Sequence, residues 1–151
     1  MIRKAHLGDV KAIHRLISEQ AQFGHILARA MSELYTQVRE FSVICKEDSD
    51  EIVGCGALHI VWEDLAEIRS LAVTTEAQGQ GIGSKLIEAL IQEAKEMGIN
   101  KVFVLTFRTR LFERLGFEQM DKSLLPHKIW ADCIRCTKFP ECDELALVRI
   151  P

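Results

Sequence analysis

The sequence predicts a mixed α/β domain, on three observations. Strand-like runs and amphipathic helical stretches alternate along the 151 residues. Three of the strand-like runs follow one another across short polar turns, so they read as successive antiparallel strands. A turn with three alternating glycines, Gln78-Gly79-Gln80-Gly81-Ile82-Gly83-Ser84, stands between a strand and a helix. Glycines there let the backbone turn tightly and approach a ligand closely.

Taken in order, residues 2–6 read as a first strand, and Asp9 offers an N-cap. Val10, Ile13, Leu16, Ile17 and Ala21 then share one helical face. His14 lies beside that face as a partly buried structural histidine, and Gly24 ends the helix. A second helix is expected from a cap at Ser32 to about Arg39, carrying Tyr35, the only tyrosine. Residues 41–46, 51–62 and 65–73 are the three successive strands. Gly54 and Gly56 within the second suggest a bulge or close packing. Cys45 and Cys55 fall in strands and read as inert core thiols. Alternation places Glu67, Arg69, Leu71 and Val73 on one face of the third strand. The helix over 82–97 turns Ile82, Leu86, Ala89, Leu90, Ala94 and Met97 toward the sheet, with Ile87 and Ile91 widening the apolar face, and Gly98 is its C′ residue. Residues 102–105 make a buried strand, and 110–115 a short helix ending at Gly116. Residues 117–119 open another strand, and 145–150 close the chain.

Hydrophobic residues at 48% and charged residues at 27% describe a soluble globular protein. A net charge of −3 gives no bulk attraction to nucleic acid. No apolar run approaches membrane-spanning length, and the start lacks the apolar core of a signal peptide, so a cytoplasmic protein is expected. Five cysteines, an odd number, fit a reducing compartment better than a disulfide framework. One domain over 1–151 is expected, with a cysteine-containing insertion at about 122–144.

The glycine turn carries the chemistry. The first amides of the following helix have no intrahelical partner and lie at the positive end of its dipole, so the turn suits an anion, most naturally a phosphate. Read as the dinucleotide fingerprint, the third glycine position is Ser84, and the acidic residue expected about 20 positions on is at best Glu96, inside the helix. Read as Q/R-x-x-G-x-G/A, the positions are Gln78, Gly81 and Gly83. An ordinary strand–turn–helix is the third option. The strand Glu67-Ile68-x-x-Leu71-Ala72-Val73 and the run Leu111-Phe112-Glu113-Arg114-Leu115-Gly116-Phe117, close to F-Y-x-x-x-G-F, flank the second motif in the right order. With them the chain resembles the GNAT acetyltransferases.

That resemblance implies a central, mostly antiparallel twisted sheet, splayed in the middle, with helices on both faces. It implies acetyl-CoA as donor. The amides of Gln80, Gly81, Gly83 and Ser84 would hold the pyrophosphate, with Gln78 and Gly79 in the loop and Lys85 adding charge. The strand would splay at about Leu71–Val73, and the backbone of Leu71, Ala72 and Val73 would bond the pantetheine arm. An N–H near Leu71 would polarise the thioester. Phe112 takes the cofactor-side position where many members carry a tyrosine acid.

Transfer to an amine needs that amine neutral and donors where negative charge develops on the thioester oxygen. Glu67 is the base candidate, by its position in the strand motif. Partial burial or relay through water would be needed to make it effective. The alternative is that Glu67 only pairs with Arg69 or a neighbouring strand. Phe112 has no proton to give, so the thiolate leaves unaided, is protonated by water, or uses Tyr35, His127 or Cys133.

The segment Pro126-His127-Lys128-Ile129-Trp130-Ala131-Asp132-Cys133-x-x-Cys136-x-x-Phe139-Pro140-x-Cys142, with Arg29-x-x-Ser32-Glu33-Leu34-Tyr35, resembles the short, stand-alone bacterial N-acetylglutamate synthases. By that likeness glutamate is acetylated on its α-amine at the entry to arginine biosynthesis. Bidentate arginines suit its two carboxylates. Arg29, Tyr35, Arg69, Lys128 and Arg135 are the substrate candidates, with Arg108 and Arg110 also in reach of the expected pocket. Cys133, Cys136, Cys142 and His127 have a loose zinc-ligand spacing, but free thiols or a Cys133–Cys136 redox pair fit better. The rival readings are a GNAT enzyme for another small amine or a protein N-terminus, and a non-catalytic acyl-CoA-binding regulatory protein. Oligomeric state is open, with a homodimer as one option.

Overall fold

The computed structural model describes residues 1–24, 26–126 and 145–151. The described strands are β1 (Ile2–Lys4), β2 (Phe41–Cys45), β3 (Ile52–Trp62), β4 (Leu65–Val73), β5 (Lys101–Thr106), β6 (Glu118–Met120) and β7 (Leu145–Arg149). They form one seven-stranded sheet in the order β1-β2-β3-β4-β5-β7-β6. Its helices are α1 (Val10–Gln22), α2 (Met31–Thr36), α3 (Ile82–Glu96) and α4 (Thr109–Arg114).

Every neighbouring pair is antiparallel except β4 and β5, which α3 joins by a crossover. That parallel pairing is short: Leu65↔Lys101, Ala66↔Val102 and Glu67↔Phe103. Past Glu67 the two strands part, and β5 stays paired with β7 as far as Thr106↔Leu145. The sheet therefore splays in its middle, with Glu67 at the apex.

The two helical layers follow from periodicity. Leu86, Ile87, Leu90, Ile91 and Ala94 form the buried stripe of α3, whereas Met97, expected to face the sheet, stands at the C-cap and is 57% exposed. They share a core with Leu58, Ile68, Val104, Phe112, Phe117 and Leu147. On the opposite face Val10, Ile13, Leu16 and Ile17 of α1 pack with Leu34, Phe41, Val43, Ala57 and Ala72. Each such side chain contributes about 1.5–3 kcal/mol when fully buried.

Several local expectations are corrected. The first strand ends at Lys4. Asp9 does not cap α1, because its backbone is already helical inside a 3-10 turn, Leu7–Asp9. Its carboxylate instead accepts from the His6 amide at 2.7 Å and from the Arg3 guanidinium at 2.7 and 3.0 Å. The Arg3 bond holds the Asp9 carboxyl below its ordinary range. Helix α2 starts from extended Ala30, not Ser32, because the Glu33 carboxylate reaches back to the Ala30 amide. It stops at Thr36, and a 3-10 turn, Val38–Glu40, leads into β2. In α1 the buried position near the C-terminus is Gln20, not Ala21.

The largest correction concerns β4. Between Cys55↔Ala72 and Ala57↔Arg69 the register shifts, which leaves Gly56 facing both Ser70 and Leu71. Ser70 takes φ 54°, in the left-handed region that a side chain disfavours. This bulge inverts the alternation. Glu67 and Arg69 lie on the α1 side of the sheet, in register with His59 and Ala57. Leu71 and Val73 pack on the α3 side.

Gly54 is fixed by close approach. A Cβ there would stand 2.7 Å from Ile44 Cγ2 and 3.0 Å from both Ile82 Cγ2 and Leu86 Cδ1. Gly54→Val is expected to cost about 1–3 kcal/mol through overpacking, read from urea unfolding; an unchanged midpoint would contradict that packing.

Candidate active site

The mouth of the splay is built by the glycine turn. After Val73 the chain makes a 3-10 turn, Thr75–Ala77, and α3 begins from Gly81. Gly79 has φ 82° and Gly81 φ 80°, and a Cβ at either would meet nothing within 4 Å. Backbone conformation, not space, therefore requires glycine at both. The first helical bond is Lys85 N–H to Gly81 C=O at 3.1 Å, so the amides of Ile82, Gly83 and Ser84 precede the helical ladder. Among the described residues no side-chain cap bond is made there and no acid sits in the first turn, while Lys85 is exposed beside them. This donor set fits a pyrophosphate.

Gln78, exposed overall, reaches back toward α1 with its amide. Its Nε2 donates to the Val73 carbonyl at 3.2 Å and to Gln20 Oε1 at 3.3 Å. Thr75 Oγ1 donates to Glu19 Oε1 at 3.1 Å. Both contacts tie the turn to α1.

At the apex, Glu67 is 7% exposed. Arg69 Nε donates to Glu67 Oε1 at 2.6 Å. Arg29, from the segment before α2, donates through Nη1 to Ser70 Oγ at 3.0 Å and through Nη2 to Gln37 Oε1. Its Nε stands 3.8 Å from Glu33 Oε2. The fold thus brings Glu67, Arg69 and Arg29 together around the Ser70 bulge. Tyr35 lies on α2, 40% exposed. Beneath the bulge, burial pushes the Cys55 thiol up to about 12, and its Sγ donates to the Ser70 carbonyl at 3.5 Å. It stays protonated and inert, as read from the sequence.

Leu71 packs against the α3 core and Ala72 faces α1. Phe112, expected on the cofactor side, lies in the core. Its ring is 2% exposed and meets Phe117 edge-on, with centroids 5.2 Å apart and planes at 82°. The residue of that run that reaches the turn is Leu111, whose Cδ2 stands 3.8 Å from where a Gly83 Cβ would be. Arg108 and Arg110 are exposed. His127, Lys128, Cys133, Arg135, Cys136 and Cys142 lie outside the described residues. Among the described residues no group of three or more His, Cys, Asp or Glu side chains is placed to hold a metal ion. No helix among them is long and apolar enough to cross a membrane.

Sequence reasoning missed Ser70, Gln37, Gln20 and the His59–Glu40 pair. Gly54 and Gly56 together were the sequence signal of a bulge, which falls opposite Gly56. The others are joined by contacts distant in sequence.

A sheet that opens between two parallel strands, with helix-start amides at the mouth that fit a phosphate and a buried carboxylate at the apex, has the geometry of a group-transfer enzyme that uses a phosphate-bearing carrier. The chain belongs to the Acetyltransferase (GNAT) family, which it matches over residues 10–117. It is 38% identical over 148 residues to an uncharacterized N-acetyltransferase of Chlorobaculum tepidum, covering 98% of this chain and 94% of that one. It is 38% identical over 137 residues to an amino-acid acetyltransferase of Mycobacterium tuberculosis, covering 89% of this chain and 78% of the other. Its fold superposes with a TM-score of 0.88 and 31% identity on N-acetylglutamate synthase from Neisseria gonorrhoeae, solved with coenzyme A and N-acetyl-glutamate. That match covers 99% of this chain and 34% of the larger protein. The donor is therefore acetyl-CoA and the reaction acetyl transfer.

Proposed function

We propose that this chain acetylates the α-amine of L-glutamate by direct attack on acetyl-CoA in a ternary complex, the entry step of arginine biosynthesis in the cytoplasm. The observation that carries this reading is the cluster of a buried carboxylate and two arginines, Glu67, Arg69 and Arg29, at the apex of the splay. The amino-acid acetyltransferase and N-acetylglutamate synthase likenesses support the acceptor.

Glu67 takes a proton from the substrate ammonium. The amine then attacks the thioester carbon, the C–S bond breaks, and the nitrogen gives up its second proton as the thiolate leaves and takes one up from water, so that amide and thiol form with one net proton released. A thiol with an ordinary pKa of about 8.5 departs without an obligatory donor. Backbone groups of residues 71–73, beyond the β4–β5 pairing, hold the pantetheine arm, and Leu71 N–H steadies the thioester oxygen. Gly79, Gln80, Gly81, Gly83, Ser84 and Lys85 hold the pyrophosphate. Arg29 and Arg69 engage the acceptor carboxylates, joined by Lys128 and Arg135.

The test is release of CoA thiol from acetyl-CoA against a panel of amino acids and polyamines, with a blank lacking acceptor. L-Glutamate is expected well above the rest. Release only with another amine would keep the chemistry and sink the acceptor. Tight acetyl-CoA binding without release would favour a regulatory binding protein. With glutamate as acceptor, Arg29→Ala should raise its KM roughly 10- to 100-fold, the worth of a charge-assisted hydrogen bond, and leave the KM for acetyl-CoA little changed. A shift in the acetyl-CoA KM instead would make Arg29 a scaffold residue.

A further inference from the structure

One row of side chains crosses the sheet at the apex. Glu67 is in register with Phe103 on β5 and with His59 on β3. Directly opposed residues bring their Cβ atoms to about 4.5–5.5 Å on one face. Beyond His59 stands Glu40, with both carboxylate oxygens 3.1 Å from His59 Nδ1. The row reads Phe103, Glu67, His59, Glu40.

Its two ends differ. Phe103 is fully buried hydrocarbon and offers a proton nothing. The His59 and Glu40 side chains are 27% and 26% exposed and reach water. Converting an ammonium and a thioester to an amide and a thiol releases one proton per turnover. A base as buried as Glu67 must pass that proton on before it can act again.

We propose that His59, oriented by Glu40, is the exit for the proton that Glu67 removes. This rests on Glu67 being the base. The Glu40 carboxylate only accepts hydrogen bonds, so the neutral imidazole carries its proton on Nδ1 and leaves the Nε2 lone pair open. The substrate N–H bond breaks and its proton moves to Glu67. It then moves to His59 Nε2, forming an imidazolium beside the Glu40 carboxylate, and from there to bulk water. Glu67 returns to its anionic state with no net change in the enzyme. Among the described residues, the charged groups around His59 are Glu40 from the preceding turn and, from β4, Glu67 opposite and Arg69 on the diagonal; Arg39, beside Glu40, is exposed. His59 is a positioning and relay residue and needs no contact with either substrate.

The experiment compares His59→Gln, Glu40→Gln and Glu67→Gln, alone and combined, using the amine that the acceptor panel ranks first. His59→Gln should lower kcat about 10- to 100-fold, below the roughly 10²- to 10⁴-fold of a direct acid–base group, with both KM values unchanged. The deficit should shrink as pH rises and more acceptor is neutral in solution, and the solvent deuterium isotope effect on kcat should grow. Glu40→Gln should reproduce a weaker version, and it carries the test if His59→Gln fails to fold. In a Glu67→Gln background, His59→Gln should add nothing. If Glu67→Gln is inactive while His59→Gln matches wild type, or its deficit is the same at every pH, the relay is overturned and the base reading stands. If Glu67→Gln itself keeps the wild-type rate, the base reading falls, and the relay with it.

Discussion

Glu67→Gln is expected to lower kcat roughly 10²- to 10⁴-fold, the span attributed to a positioned general base, while acetyl-CoA still binds. The substitution keeps the shape of a side chain that is 7% exposed, so the surrounding packing is retained. Glutamine can still accept from Arg69 Nε, now 2.6 Å from the carboxylate, but it cannot take a proton. The acceptor amine must then lose its proton to water before entering. Three quantities separate this from structural damage. Acetyl-CoA affinity should hold, because the proposed phosphate site is backbone at the start of α3. The melting temperature should fall only modestly, since Arg69 loses an anion and keeps a hydrogen-bond acceptor. The kcat deficit should narrow at high pH. A variant that loses acetyl-CoA affinity along with rate would place Glu67 in the scaffold, as the ion pair alone would suggest.

What could be read ahead of the structure was whatever the chain enforces locally. The glycine turn, the three consecutive strands and the stripe of α3 depend on short-range backbone freedom and periodicity, and each appears within a residue or two of its expected place. The Ser70 bulge was hidden because serine carries no preference for positive φ. Its conformation is held by distant partners: Arg29 on its hydroxyl, Cys55 on its carbonyl, and Gly56 leaving room opposite. That one residue decided which face Glu67 shares, so alternation paired it with Leu71 and Val73 wrongly. The start of α2 was misread because Ser32 is a better cap by type than Ala30, and the Glu33 side chain closed the turn instead. His59 and Glu40 lie 19 residues apart, and alternation assigns a face but not a partner.

Phe112→Ala should be strongly destabilising, costing about 3–5 kcal/mol, the usual range for removing a buried aromatic ring. At roughly 2–4 °C per kcal/mol for a chain of this size, the melting temperature should drop about 10 °C. The reason is position. The ring sits in the core between α3, α4 and the sheet, with Ile87, Leu90, Phe117 and Leu147, and is 2% exposed. The same burial decides Phe112→Tyr, which adds a phenolic hydroxyl at that position. A hydroxyl added to a ring already enclosed by hydrocarbon loses its water, and without a new partner costs about 1–3 kcal/mol. The tyrosine variant should therefore melt lower than wild type and gain no rate. Thermal melts and kcat on the same two variants check both statements. A Phe112→Tyr enzyme that turned over faster without loss of stability would put the ring edge at the leaving sulfur and make thiolate protonation a limiting step. The expected result leaves the thiolate departing on its own modest basicity.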